Sequence, residues 1–152
     1  MKNKTIVLIF IFFAGFSDLC FAQKPTQEDE IKAKELKAPP DKALVYVVRP
    51  SKSAFAVVFS IKCDEVPMVD LPAGHFVFFY VTPGKHLLSA KTEKQTELEL
   101  VTEAGKIYFL EAVISMGWVV ARVGLKSLND QDGAKKLNKC KLSPDNMKHF
   151  IE

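Results

Sequence analysis

From Ala43 onward the chain is cut into short β-rich runs by turn-forming residues at near-regular spacing, and this alternation constrains its fold more than any other feature. Residues 43–49 (ALVYVVR) are apolar on both faces of a strand and stop at Pro50. Phe55, Val57, Phe59, Ile61 and Cys63 then repeat with period two, which places them on one face and points Cys63 into the core. Further runs follow at residues 66–71, 75–81, 86–91, 96–102, 107–114 and 118–123. Between them lie Asp64-Glu65, Leu71-Pro72-Ala73-Gly74, Thr82-Pro83-Gly84-Lys85, Glu103-Ala104-Gly105-Lys106 and Met116-Gly117. Pro83 before Gly84 supplies the order a type II turn needs, a fixed φ and then a positive one. Thr96, Leu98, Leu100 and Thr102 alternate with Glu97, Glu99 and Val101, as in a strand with one wet face. About eight strands, with no long amphipathic helix among them, predict an all-β fold, a single antiparallel β-sandwich.

The flanks read differently. Lys2 and Lys4 precede an uncharged apolar run at residues 6–16, and Cys20-Phe21-Ala22 sets small residues at the positions a signal peptidase reads. That run is shorter than the roughly 20 residues a bilayer crossing requires. Residues 1–22 are therefore expected to be an export signal cleaved between Ala22 and Gln23, leaving about 130 residues, enough for one core. Lipid attachment at Cys20 is the alternative, with Ser17 and Leu19 a poor match to such a site. Residues 23–42 read as a polar linker in which Thr26 and Asp29 cap a short charged helix before Pro39-Pro40. With only Ile31 and Leu36 as sizeable apolar residues, that helix is expected to be a frayed tether. The β domain spans residues 43–142. Asp132 is expected to cap a helix over 133–139 that returns Cys140 toward the strand bearing Cys63. Residues 143–152 form a tail with Met147, Phe150 and Ile151 as its apolar residues.

Export leaves Cys63 and Cys140 in an oxidising compartment, where an even pair reads as a disulfide. Closing a loop of roughly 80 residues would stabilise the fold by roughly 4–5 kcal/mol. The alternative is two free thiols packed as small hydrophobes. A formal net charge of +3, spread without a basic stripe, speaks against a nucleic-acid partner. There is no Gly-rich phosphate loop, no H-E-x-x-H and no G-x-S-x-G. His75, His86 and His149 stand at no metal-ligand spacing, and Glu97 with Glu99 reads as a solvated face rather than an acid–base pair. No catalytic, cofactor-binding or metal-ligating residue is assigned. The remaining candidates are aromatic. Phe76, Phe78 and Tyr80 share one face of a strand whose other face is also apolar, so they line either a groove for a partner or a doubly buried central strand. Trp118 and Arg122 share a strand face and suit a stacking or cation–π site, or a core position for the tryptophan.

YVVRP (46–50), VTPGKHLLSA (81–90), EAGKIYFLEA (103–112), SMGW (115–118) and KKLNKCKL (135–142) occur in that order. Together they resemble the bacterial family called domain of unknown function 2846, over residues 43–142. The resemblance implies a small exported or lipid-anchored β-sandwich, similar in its Pro-Gly hairpin to surface-associated carbohydrate- or protein-binding modules, with no assigned biochemical role. One departure is Asp64-Glu65 where Asp-Gly is expected; Glu tolerates positive φ poorly, which argues against a tight type I′ hairpin there. The sequence thus leads to an exported, non-catalytic interaction module of the cell envelope, periplasmic or extracellular. It would bind an envelope protein or surface polymer through an edge strand or the aromatic patch, and meet the membrane only through a lipid on Cys20. A carrier or sensor with a small apolar ligand between the sheets is the alternative.

Overall fold

The computed structural model describes residues 24–116 and 121–149. In chain order its elements are α1 (Gln27–Lys34), β1 (Ala43–Val48), β2 (Phe59–Cys63), β3 (Val66–Leu71), β4 (His75–Val81), β5 (Gly84–Lys91), β6 (Gln95–Thr102), β7 (Ile107–Met116), β8 (Ala121–Leu128), α2 (Asp130–Leu137) and β9 (Lys141–Leu142), closed by a 3-10 turn at Pro144–His149. The protein is mostly β, in two sheets with two short helices. One sheet has five strands in the order β8-β7-β1-β4-β9 and the other four in the order β3-β2-β5-β6.

The apolar run of β1 lies at the middle of the larger sheet, and all six of its residues are buried. Alternation sends Val45 and Val47 to one face and Leu44, Tyr46 and Val48 to the other. The first face joins Phe59, Ile61 and Cys63 of β2, Leu71 of β3, Leu88 of β5 and Leu100 of β6 in an apolar cluster shared by both sheets. The second joins Phe76, Phe78, Leu137, Cys140 and Leu142 under α1 and α2. Each fully buried aliphatic or aromatic side chain contributes roughly 1.5–3 kcal/mol, so these two clusters carry the fold.

Polar stitches close both sides of the two-sheet unit. Thr96 of β6 donates its hydroxyl to the Val123 carbonyl of β8 at 2.5 Å, joining the sheet edges on one side. On the other, Ser143 donates to the Asp70 carbonyl at 2.8 Å, and the Asp70 amide donates to the Asp145 carboxylate at 3.0 Å. Beyond two-residue β9, the buried Asn146 side chain continues the edge of β4. Its Oδ1 accepts from the Phe78 amide at 2.7 Å and its Nδ2 donates to the Phe78 carbonyl at 2.9 Å.

Several expectations change. The sheets are not purely antiparallel: β1 runs parallel to β7, and β4 to β9. Alternation marks a strand but not the direction of its neighbour, and both partners arrive from far along the chain. β2 begins at Phe59 rather than Phe55. The residue 24–42 segment is not a free tether. α1 carries the reciprocal Thr26–Asp29 capping box, buries Ala33, and accepts the Tyr46 hydroxyl on the Ala33 carbonyl at 2.7 Å. α2 is capped by Asn129, whose Oδ1 accepts from the Asp132 amide at 2.8 Å, so Asp132 lies inside the helix. The tail docks through Ser143, Asp145 and Asn146; Phe150 and Ile151 lie outside the described residues. Asp64 (φ 51°) and Glu65 (φ 67°) both take the positive φ of a type I′ hairpin, the turn the sequence argued against. The Asp64 carboxylate is tied to β5 by the Leu87 amide at 2.8 Å, which secures the turn despite the strain at Glu65.

Two substitutions are expected to move stability against ordinary expectation for glycine. A Cβ at Gly133 would lie 2.2 Å from Phe109 Cγ, and Phe109 is stacked on Tyr46 at 5.4 Å. Gly133→Ala, which normally favours a helix, should therefore destabilise by roughly 1–3 kcal/mol. Glu65→Gly relieves a left-handed non-glycine residue and should stabilise by roughly 0.5–1 kcal/mol. Urea unfolding of both variants checks the signs; stabilisation by Gly133→Ala would mean α2 does not press on Phe109.

Candidate functional site

The aromatic residues singled out from the sequence do not form an exposed patch. Phe76 and Phe78 are buried and Tyr80 half-buried in the cluster beneath α1 and α2. Tyr46 packs between Phe76 and Phe78 with ring centroids 6.2 Å from each. Both faces of β4 are apolar because both are covered. Arg122 is exposed on β8 opposite Ser115, while Trp118 lies outside the described residues, as do Ala22 and Gln23. Glu97 and Glu99 are exposed, and Glu99 pairs with Lys85 at 2.7 Å.

Cys63 and Cys140 are both free, and no disulfide joins them. Cys63 packs in the cluster between the sheets and Cys140 in the cluster on the opposite face of the larger sheet, so that sheet stands between the two sulfurs. Period-two spacing gave the inward direction of Cys63 correctly, but the larger sheet has two covered faces and α2 returns Cys140 to the other one. Burial, followed by the neighbouring Asp64 carboxylate, pushes the Cys63 thiol up to about 11. Burial likewise pushes Cys140 up to about 11. Neutral buried thiols of this kind are poor nucleophiles.

The pairing of β2 with β5 brings His86 to Asp64, a juxtaposition invisible in linear spacing. His86 Nδ1 donates to Asp64 Oδ2 and its Nε2 to the Thr82 carbonyl, both at 2.7 Å. With Cys63 Sγ, these side chains place three donor atoms within 4.8 Å of one another, an arrangement that could hold a metal ion. Its internal bonding already accounts for it as a structural latch, because acceptors on both ring nitrogens favour the imidazolium. Burial lowers the His86 pKa, but the Asp64 hydrogen bond, the Thr82 carbonyl and the Asp64 charge outweigh it and hold it above its ordinary value of 6.5. The Leu87 amide first, then His86, hold Asp64 below its ordinary 3.8. A second buried charge, Glu111, receives Lys136 at 2.6 Å and Lys126 at 2.8 Å, an ion pair that pins α2 to β7.

The buried Arg49 is different, for no carboxylate faces it among the described residues. Nη1 donates to the carbonyls of Val57 (2.6 Å) and Leu71 (3.4 Å), and Nη2 to those of Ala54 (2.9 Å) and Ser53 (3.3 Å). The guanidinium also lies 5.3 Å from the Phe59 ring centroid. Four carbonyls are a meagre exchange for hydration, and burial lowers the Arg49 pKa. What this arrangement achieves is a loop, residues 50–58, held from beneath in one shape. On its outside Phe55 is 81% exposed.

Phe55 borders a surface cleft of about 320 Å³ lined also by Lys52, His75, Lys139 and Lys141. A neighbouring cleft adds Lys24 and Glu30, sharing His75 and Lys141. All four lysines are exposed, and none is ion-paired among the described residues. Backbone hydrogen bonds gather this end of the molecule: Gly74 to the Arg49 carbonyl at 2.9 Å and Lys141 to the Gly74 carbonyl at 3.1 Å. A larger open groove of about 720 Å³ lies over β6, β7, β8 and α2. It mixes Glu103, Lys106 and Asp130 with apolar residues, and Lys106 already pairs with Glu103 at 2.8 Å. The basic cleft, with one sign of charge, unpaired cations and a presented aromatic ring, is the stronger candidate for recognition. Sequence reading missed it because its lysines come from three separate segments; Phe55 carried the one usable signal and was assigned to a strand face.

The fold and cleft define a mostly β, two-sheet protein with a basic surface cleft at one end. Residues 39–125 match the family described as "Protein of unknown function (DUF2846)", and the chain belongs to that family. It is also 31% identical over 70 residues to an uncharacterized protein of Haemophilus influenzae. That match covers 44% of this chain and 42% of the relative, so the chain spans less than half of that protein's length. Among the described residues no helix is long and apolar enough to cross a membrane.

Two measurements probe the latch and the thiols. The raised His86 contributes stability that is complete below pH 6.5 and lost as pH rises through its folded pKa. The lowered Asp64 contributes stability that is complete above pH 3.8 and lost as pH falls through its folded pKa. The melting temperature of His86→Gln should therefore lie furthest below the parent's between these two values, with the gap narrowing on the alkaline side. A gap independent of pH would refute the charged latch. The chain from Gln23, unfolded without reductant, should take two alkyl groups, and the native protein none; an unfolded mass two hydrogens light would restore the disulfide.

Proposed function

We propose that this is an exported, non-catalytic protein of the cell envelope whose work is binding, and that it binds through the loop at residues 50–58 and the basic cleft beside it. The observation that carries the reading is Phe55, a large aromatic ring 81% exposed on a loop that a fully buried arginine fixes in place. It is the most exposed large apolar side chain among the described residues, and recognition surfaces are enriched in such aromatics. The unpaired lysines around it make the matching partner anionic. Export rests on the basic and apolar character of residues 1–22, and a two-sheet sandwich is the architecture we assign to the stitched sheets. The described cavities open on the surface rather than between the sheets, which favours a binding face over a carrier of apolar ligands.

Phe55 is the means of testing this without disturbing the fold. Phe55→Ala should change stability by less than about 0.5 kcal/mol, as surface substitutions do. A photo-crosslinking residue placed at position 55 in the native cell should give a discrete adduct, and one at position 122, on the exposed β8 edge, should not. Adducts from position 122 alone would move the binding face to the sheet edge.

A further inference from the structure

We infer that the partner of this basic face is the membrane itself: the Lys24–Lys52–Lys139–Lys141 surface lies against anionic phospholipid headgroups, with Phe55 inserted at the interface. This rests on the binding face proposed above and specifies its occupant. Three observations carry it.

The first is charge. Lys52, Lys139, Lys141 and Lys24 share one end of the molecule, with Glu30 the only carboxylate lining either cleft, and Glu30 is already neutralised by Lys34 at 2.7 Å. Lysine is a compact point charge on a flexible stem, suited to a field of phosphates rather than to one planar bidentate ligand. The second is Phe55. An aromatic ring projecting beside a cationic field is the pairing that interfacial anchors use, an apolar body entering the headgroup boundary while the charges stay at the phosphates. The third is where the chain enters. Lys24 and Pro25 line the second cleft, so the segment carrying Cys20 and the apolar run at 6–16 joins the fold at this end. Cys20 is four residues from Lys24, and an extended chain spans at most about 3.6 Å per residue. A lipid on Cys20 would therefore hold the basic face within roughly 15 Å of the bilayer. A basic face held that close to the headgroups adds its own attraction to the anchor.

The test uses the chain from Gln23, which contains every described element of both sheets and both apolar clusters but neither the acyl site nor the apolar run. It is sedimented with vesicles of phosphatidylethanolamine alone and of phosphatidylethanolamine mixed with phosphatidylglycerol. Binding is expected to the anionic vesicles only, and to weaken as salt is raised. Each lysine near the surface contributes roughly fivefold to partitioning, so K52Q/K139Q/K141Q should lose about a hundredfold. The control K42Q/K85Q/K106Q removes the same charge at the opposite end of the strands and should retain most of the binding. Phe55→Ala should weaken binding at low and high salt alike. Equal loss in both triple variants would reduce the effect to net charge and overturn the inference. So would equal binding to vesicles of either composition. Binding to no vesicle, with a crosslink at position 55 to a protein or polymer, overturns the membrane inference and leaves the proposed binding face standing. Absence of both overturns the two together.

Discussion

Burial of β1 and β4 on both faces is the constraint from which the rest of the structure follows. A strand apolar on alternate residues needs one cover; these two need two. The four-stranded sheet covers one side. The other is covered by elements that have little apolar surface of their own: an eight-residue helix with Ala33 as its buried residue, a second helix contributing Leu137, and the segment around Cys140 and Leu142. Such light covers need polar fasteners. The Tyr46–Ala33 hydrogen bond and the two lysines on Glu111 supply them.

Most strands were legible because period-two patterning reports a covered face directly. β3 and β4 match the sequence reading to the residue. The failures have physical causes. The alternation of Phe55 and Val57 resembles a strand, but the carbonyls of Ser53, Ala54 and Val57 are taken by Arg49, which curls that stretch into a loop. β9 has two residues and no pattern to read. Parallel pairing of β1 with β7 depends on the path of the chain through the other sheet. The same limit hid the basic cleft, whose residues share no stretch of sequence, and it made Phe76, Phe78 and Tyr80 ambiguous between groove and core. Two covered faces and two exposed ones look alike until the cover is seen.

Arg49 links fold to surface. It stands in the YVVRP stretch at the end of β1, where a core strand would be expected to end in a turn. Its side chain instead turns inward and organises the loop at residues 50–58 around a cation that no carboxylate faces among the described residues. The interior thereby determines what the outside presents, since the shape of the loop bearing Phe55 is set by hydrogen bonds from a side chain that is itself fully buried.

Asn146 has a consequence in time as well as space. Its amide completes the hydrogen bonding of β4, a strand made some seventy residues earlier in the chain. Until residue 146 has been synthesised, the edge of β4 remains open along Phe78, beside a strand rich in aromatic residues. An unpaired apolar edge is a template for intermolecular strand addition. The β4 edge is thus among the last in the larger sheet to be closed, and Asn146 is what withholds it from strand addition.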